Sequence, residues 1–136
     1  MNILVIDAQG GGIGRQLINE IKSRRKDLVI HAVGTNSAAT QAMLKAGADL
    51  ASTGENAVLT ACRDADVIIG PIGIAIADSM LGEVTPKMAK AVGRSRAVRI
   101  LIPFQHCGST IVGIQETNTG RLIIEAVNKL FEDLSA

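Results

Sequence analysis

An apolar run from Ile3 to Ile6 ends at Asp7 and empties into Ala8, Gln9, Gly10, Gly11, Gly12, Ile13 and Gly14, after which apolar residues recur at helical spacing. Few folds accept that succession. A short, unbroken apolar run bounded by turn residues reads as a strand buried on both faces. Four glycines ahead of a helix then open a turn whose backbone N–H groups can meet an anion without Cβ atoms in the way. The succession predicts a parallel sheet whose first strand delivers a helix N-terminus suited to a phosphate.

The rest of the chain repeats the alternation. Strands are expected over residues 2–7, 28–33, 49–51, 66–70 and 98–102, each a compact apolar run. The first helix, 13–25, turns Ile13, Leu17, Ile18 and Ile21 inward, and the second, 37–46, stops at Gly47. Ser52 and Glu55 have capping-box spacing and predict a third helix. Thr85 before Pro86 predicts a fourth, which Gly93 should end. Right-handed crossovers between such strands give a three-layer α/β fold with a doubly wound parallel sheet in the order 3-2-1-4-5. Too few residues separate Ile102 from Ile111 for a helical crossover, so 110–114 is expected to return as an antiparallel edge strand. A last helix, 119–134, should pack on the sheet. A length of 136 residues suits one domain.

Composition removes several function classes. With 14 basic and 13 acidic residues, no overall positive field favours nucleic acid or an anionic membrane. Tyr and Trp are absent and only Phe104 and Phe131 are aromatic, so bases have no stacking platform. The longest apolar stretch, 67–77, is interrupted by Gly70, Pro71 and Gly73 and is about half the length of a bilayer span. Cys62 and Cys107 are isolated, and no basic-then-apolar leader precedes the first strand, which predicts a reduced, cytoplasmic protein. No ligand spacing for a metal is present. Ile72, Ile74, Ile76, Met80 and Leu81 cluster after the fourth strand and point to a homodimer or higher homo-oligomer.

Ligands of doubly wound sheets collect where the strands end. The loops expected there are Gln9 to Gly14, then Gly34-Thr35-Asn36, then Ser52 to Asn56, then Gly70-Pro71-Ile72-Gly73, all glycine with small or polar residues. The opposite edge receives charged connections, 23–27, 63–64 and 94–96, which read as solvated turns. The ligand edge is therefore the glycine-rich one. Gln9, Gly10, Gly11, Gly12, Ile13 and Gly14 would present backbone donors to a nucleotide or other phosphorylated small molecule, with Arg15 adding a cation. Thr35 and Asn36 would meet sugar or a second phosphate, unless Asn36 or Ser37 only caps the second helix, and Gly70, Pro71, Ile72 and Gly73 would form the far wall.

NAD(P) is one possible cofactor and another nucleotide the other, for two reasons. Taken as G-x-G-x-x-G, the frame ending at Gly14 begins with Gln9, and the frame beginning at Gly10 ends with Arg15. No acid follows Val33 where a ribose-binding carboxylate normally stands. Asp7 is suited to ribose hydroxyls, to magnesium or simply to a turn. Asp7, Asp78 and His106 are the acid/base candidates of a small NAD(P)-dependent oxidoreductase or transferase, with Cys107 a nucleophile lacking a third orienting group. A non-catalytic assembly subunit with an architectural glycine loop is the remaining alternative.

With these four loops in hand, the chain resembles a family of small uncharacterised bacterial proteins, the domain of unknown function numbered thirty-eight forty-two. The likeness covers nearly the whole chain. It implies a small Rossmann-like protein and brings no activity with it.

Overall fold

The computed structural model describes residues 1–103, 108–114 and 118–135. Its elements are β1 (Ile3–Asp7), α1 (Gly12–Arg24), β2 (Ile30–Gly34), α2 (Ser37–Lys45), β3 (Leu50–Thr53), α3 (Glu55–Asp64), β4 (Val67–Pro71), a 3-10 turn (Ile72–Ala75), α4 (Pro86–Arg94), β5 (Val98–Ile102) and α5 (Thr119–Ser135). The five strands form one sheet in the order β3-β2-β1-β4-β5, and every pairing is parallel.

Strand alternation divides the interior in two. Ile3 and Val5 of β1 join Val67 and Ile69 of β4 beneath α1, α2 and α5, whose Leu17, Ile18, Ile21, Met43, Val127 and Leu130 complete that layer. Leu4, Ile6 and Ile68 point the other way, toward Val58 and Cys62 of α3 and Met88, Ala89 and Val92 of α4. Both faces are covered, which is why the central strands carry no polar alternation. The β1–β2 register, Ile3 opposite Ile30 through Asp7 opposite Gly34, places Asp7 level with the end of β2.

Three local expectations are corrected. Residues 110–114 form no strand: Gly108 and Gly113 sit at φ +68° and +91°, which interrupts extended backbone, and Val112 is 94% exposed. Among the described residues the sheet is therefore wholly parallel, without an antiparallel edge strand. Ser52 does not cap α3. It belongs to β3, its hydroxyl lies 2.9 Å from His31 Nε2, and Gly54 takes the N-cap position with no side-chain bond. Gly93 lies inside α4, which ends one residue later because Ser95 Oγ is held by the Cys62 carbonyl at 3.0 Å. The Thr85 cap before Pro86 forms as expected, its hydroxyl accepting the Met88 N–H.

Candidate functional site

The glycines of the β1–α1 turn divide into two kinds. Gly11 is the left-handed N-cap of α1 at φ +73°, and a Cβ there would stand 2.9 Å from both the Cα and the carbonyl oxygen of Ala39. A Cβ at Gly14 would meet Met43 Sδ at 2.5 Å and Asp7 Cβ at 3.1 Å. These two glycines let α1 sit close against α2 and β1. Gly10 and Gly12 differ: a Cβ at either meets nothing within 4 Å, and neither has a left-handed φ. The fold itself makes no demand for glycine at those two positions.

The loop's amides divide in a related way. Asp7 is 3% exposed and its carboxylate accepts the Ala8 and Gly14 N–H groups, each at 2.7 Å. Burial pushes the Asp7 carboxyl above its ordinary value, against the pull of the Gly14, Ala8 and Ile13 amides, and the charge of Glu83 adds to the rise. The Gly11 N–H goes to the Ala8 carbonyl at 3.0 Å. The amides of Gly10 and Gly12 donate to no described residue.

Glu83 is the residue that the sequence reading did not single out. It reaches the sheet edge from the β4–α4 crossover, and its Oε1 accepts the Gln9 N–H at 2.8 Å, the Thr35 hydroxyl at 2.8 Å and the Asn36 amide at 2.7 Å. Burial alone would raise its carboxyl, but the Gln9, Thr35 and Asn36 donors outweigh that and hold it below the ordinary value. Its signal in the sequence was indirect: Thr35 and Asn36 are donors at the end of β2 with no acid of their own strand to serve. Asn36 also caps α2 through Oδ1, which accepts the Ala39 N–H, and its Nδ2 reaches the Gln9 carbonyl.

The crossover that carries Glu83 is tightly wound. Asp78, Met80 and Leu81 all hold positive φ, between 55° and 64°, a conformation that L residues adopt at a cost of about 1–2 kcal/mol each. Backbone bonds hold it there, Asp78 N–H to the Val84 carbonyl at 2.8 Å and Glu83 N–H to the Met80 carbonyl at 3.2 Å. Ser79, buried, donates its hydroxyl to the Gly73 carbonyl. The outcome is a fixed ledge beside the glycine turn.

Between ledge and turn lies a cavity of about 720 Å³, lined by Asp7, Ala8, Gln9, Gly10, Gly11, Gly12, Ile13 and Gln16, with Pro71, Met80, Leu81 and Thr119 opposite. That volume is ordinary for a small-molecule site. Of the expected residues, Asp7, Gln9, Gly10, Gly11, Gly12, Ile13 and Pro71 line it. Gly14, Thr35, Asn36, Gly70, Ile72 and Gly73 do not; Gly14 and Asn36 are engaged as described, and Gly70 packs its bare Cα against the Ile6 carbonyl. Arg15 is exposed and lies outside the lining, so no basic side chain among the described residues faces the cavity. Asp78 is exposed and also outside it. His106 and Cys107 lie outside the described residues. Gln16 and Thr119, the first residue of α5, complete the wall without a prior sequence signal.

Ile74 is buried in the α3–α4 layer and Met80 packs on it, leaving Leu81 as the largely exposed member of the apolar cluster after β4, at 96%. Among the described residues, no helix is long and apolar enough to cross a membrane. No group of three or more described His, Cys, Asp or Glu side chains could hold a metal ion.

A parallel sheet in this order, with a glycine-rich β1–α1 turn facing a cavity at the strand ends, defines a Rossmann-like α/β domain. Over residues 2–135 the chain matches the family described as domain of unknown function (DUF3842), and it belongs to that family. Comparison with curated proteins gives no match. Among solved structures, the chain is similar to a dodecameric FMN-dependent UbiX-like decarboxylase from Escherichia coli O157:H7, with 16% identity and a TM-score of 0.49, covering 96% of this chain and 76% of that one.

Proposed function

We propose that this protein binds a nucleotide or other phosphorylated small molecule in the cavity between the β1–α1 turn and the 78–83 ledge. The observation that carries the reading is the pair Gly10 and Gly12. Their lack of a side chain serves no internal packing and no left-handed backbone, and their amides have no partner among the described residues. Bare glycines with open amides at a helix N-terminus are what a phosphate oxygen requires.

The surroundings narrow the ligand. With no cation among the described residues of the wall and Asp7 and Glu83 both close by, the site suits a lightly charged phosphate joined to a hydroxyl-rich part rather than a bare polyphosphate. Glu83 lies outside the cavity lining, where its Oε1 accepts the Gln9 N–H, the Thr35 hydroxyl and the Asn36 amide and so fixes the turn that would face the ligand. Ile13, Pro71, Met80 and Leu81 give a base or other apolar group a surface to rest on. Leu81 at the cavity mouth is also the natural contact for a second copy of the chain.

A second reading, an acid/base enzyme using the same ligand, is favoured by one observation. Asp7 is buried, lines the cavity and holds its proton more tightly than an ordinary carboxyl.

The deciding experiment is a calorimetric and thermal-shift screen of NAD(H), NADP(H), adenine and guanine nucleotides and phosphosugars against the wild type and Gly12→Asp. A saturable binder that Gly12→Asp abolishes supports the reading. No saturable binder, or equal binding by Gly12→Asp, sinks it. Turnover lost in Asp7→Asn with binding retained would establish the enzyme.

A further inference from the structure

We infer that the groove between α3 and α4 is a second ligand site, one for a compact, multiply charged phosphate group such as a triphosphate. It lies in the α3–α4 layer, on the other face of the sheet from α1, and does not depend on the reading of the glycine turn.

The groove has a volume of about 570 Å³ and is lined by Leu59, Cys62 and Arg63 of α3, Lys87, Lys90, Ala91 and Arg94 of α4, and Ser95 and Arg96 beyond it. Arg63, Lys87, Lys90, Arg94 and Arg96 converge there, five of the chain's 14 cations, and no described carboxylate lines the groove. All five are exposed, and none of their side chains forms an ion pair or hydrogen bond with a described residue. The near-neutral sum of charges conceals this concentration.

Ordinary helix electrostatics explains only part of it. Arg63 and Arg94 occupy the last turns of α3 and α4, where the helix dipole favours a cation. Lys87 stands in the first turn of α4, where the dipole opposes it, and no acid shares that turn. Lys87, Lys90 and Arg94 follow at i, i+3 and i+7 on one stripe, so neighbouring like charges repel. An arrangement that costs the free protein is relieved when an anion enters.

Shape selects among anions. One end of the groove is fixed by Ser95, whose hydroxyl donates to the Cys62 carbonyl at 3.0 Å and accepts the Ala97 N–H at 3.1 Å, tying the exit of α4 to α3. Three guanidiniums offer paired donors to phosphate oxygens, and two ammoniums add point charge. The floor of Leu59, Cys62 and Ala91 is apolar and small. It suits the nonpolar face of a nucleoside attached to the phosphates, and no aromatic side chain among the described residues lines it to stack successive bases of a nucleic acid. The Cys62 thiol takes no chemical part, since burial pushes it up to about 11.

The test uses the intact protein at near-physiological salt, with inorganic triphosphate, ATP and a single-stranded RNA oligomer as probes read by calorimetry. The variants are Lys90→Gln/Arg94→Gln, whose exposed side chains leave the core untouched, and Gly12→Asp. Saturable binding of inorganic triphosphate, weakened at least tenfold in the double variant at unchanged Tm and unaltered by Gly12→Asp, is the expected result. Tighter binding of ATP than of inorganic triphosphate identifies the nucleoside as part of the ligand; equal binding identifies the phosphate chain alone. No saturable binding of either, equal binding by the double variant, loss through Gly12→Asp alone, or tighter binding of the RNA would each overturn the inference.

Discussion

Adjacent glycines in the β1–α1 turn should respond to the same substitution in opposite ways. In Gly11→Ala the new Cβ meets the Ala39 backbone at 2.9 Å and Ala42 Cβ at 3.2 Å, on a residue at φ +73°. Holding alanine in the left-handed region costs about 1–2 kcal/mol. Forcing α1 away from α2 adds about 1–3 kcal/mol, since the contact is with backbone rather than with a movable side-chain end. The sum, about 2–5 kcal/mol, is a large part of the stability of a domain of this size. At about 4 °C per kcal/mol, Tm should fall by roughly 8–20 °C. In Gly12→Ala nothing lies within 4 Å of the new Cβ, and the residue is already helical. Reduced freedom of the unfolded chain should then raise stability by up to about 1 kcal/mol. Ligand affinity should still fall at least tenfold, because the methyl group stands on the cavity wall. Differential scanning calorimetry and urea unfolding read the first quantity and ligand titration the second. Equal destabilisation by both substitutions would refute the division of the turn into packing glycines and ligand glycines. So would a Gly11→Ala protein that melts with the wild type.

Three further outcomes follow from single groups. Glu83 holds its proton less tightly folded than its ordinary value of 4.5, so its stabilising contribution is present above that value and is lost as pH falls through the lowered one. Glu83→Gln should lose about 1 kcal/mol near neutral pH and show a smaller drop in urea midpoint between about pH 5 and about pH 3 than the wild type; an unchanged drop contradicts the three-donor geometry. Asp7 has the opposite sign: its raised carboxyl opposes folding at neutral pH, and the penalty is relieved as pH falls through the folded value toward 3.8. Carbon NMR of the Asp7 carboxyl should find its midpoint above 3.8, and a midpoint at or below that figure rejects burial as the dominant influence. Cys62, with its thiol pushed up to about 11, should stay unmodified by a thiol reagent near pH 8 in the folded protein and react once urea unfolds it; rapid reaction in the native state means the α3–α4 layer opens.

Local chemistry determined much of this protein. The apolar runs at β1, β2, β4 and β5, the helical spacing of Leu17, Ile18 and Ile21, the Thr85-Pro86 start of α4 and the glycine turn after Asp7 are short-range signals, and right-handed crossovers turn them into the order 3-2-1-4-5. Where a side chain had competing partners, only the assembled fold chose between them. Ser52 had the spacing of a helix cap, but strand register put His31 beside it. Residues 110–114 had the makings of a strand, but the left-handed Gly113 interrupts the extended backbone. Glu83 stood 47 residues from Asn36 and 74 from Gln9, and no local pattern foretold that it would supply the acceptor missing at the end of β2. Gly10, Gly11, Gly12 and Gly14 look alike in the sequence. What separates them is the distance from each to α2, β1 and the open cavity, a property of packed elements rather than of neighbouring residues. The same holds for the cations of α3 and α4, which are dispersed along the chain and nearly balanced by its acids. Helix packing brings them into one groove, because charge adds up by position in space while composition counts it only by number.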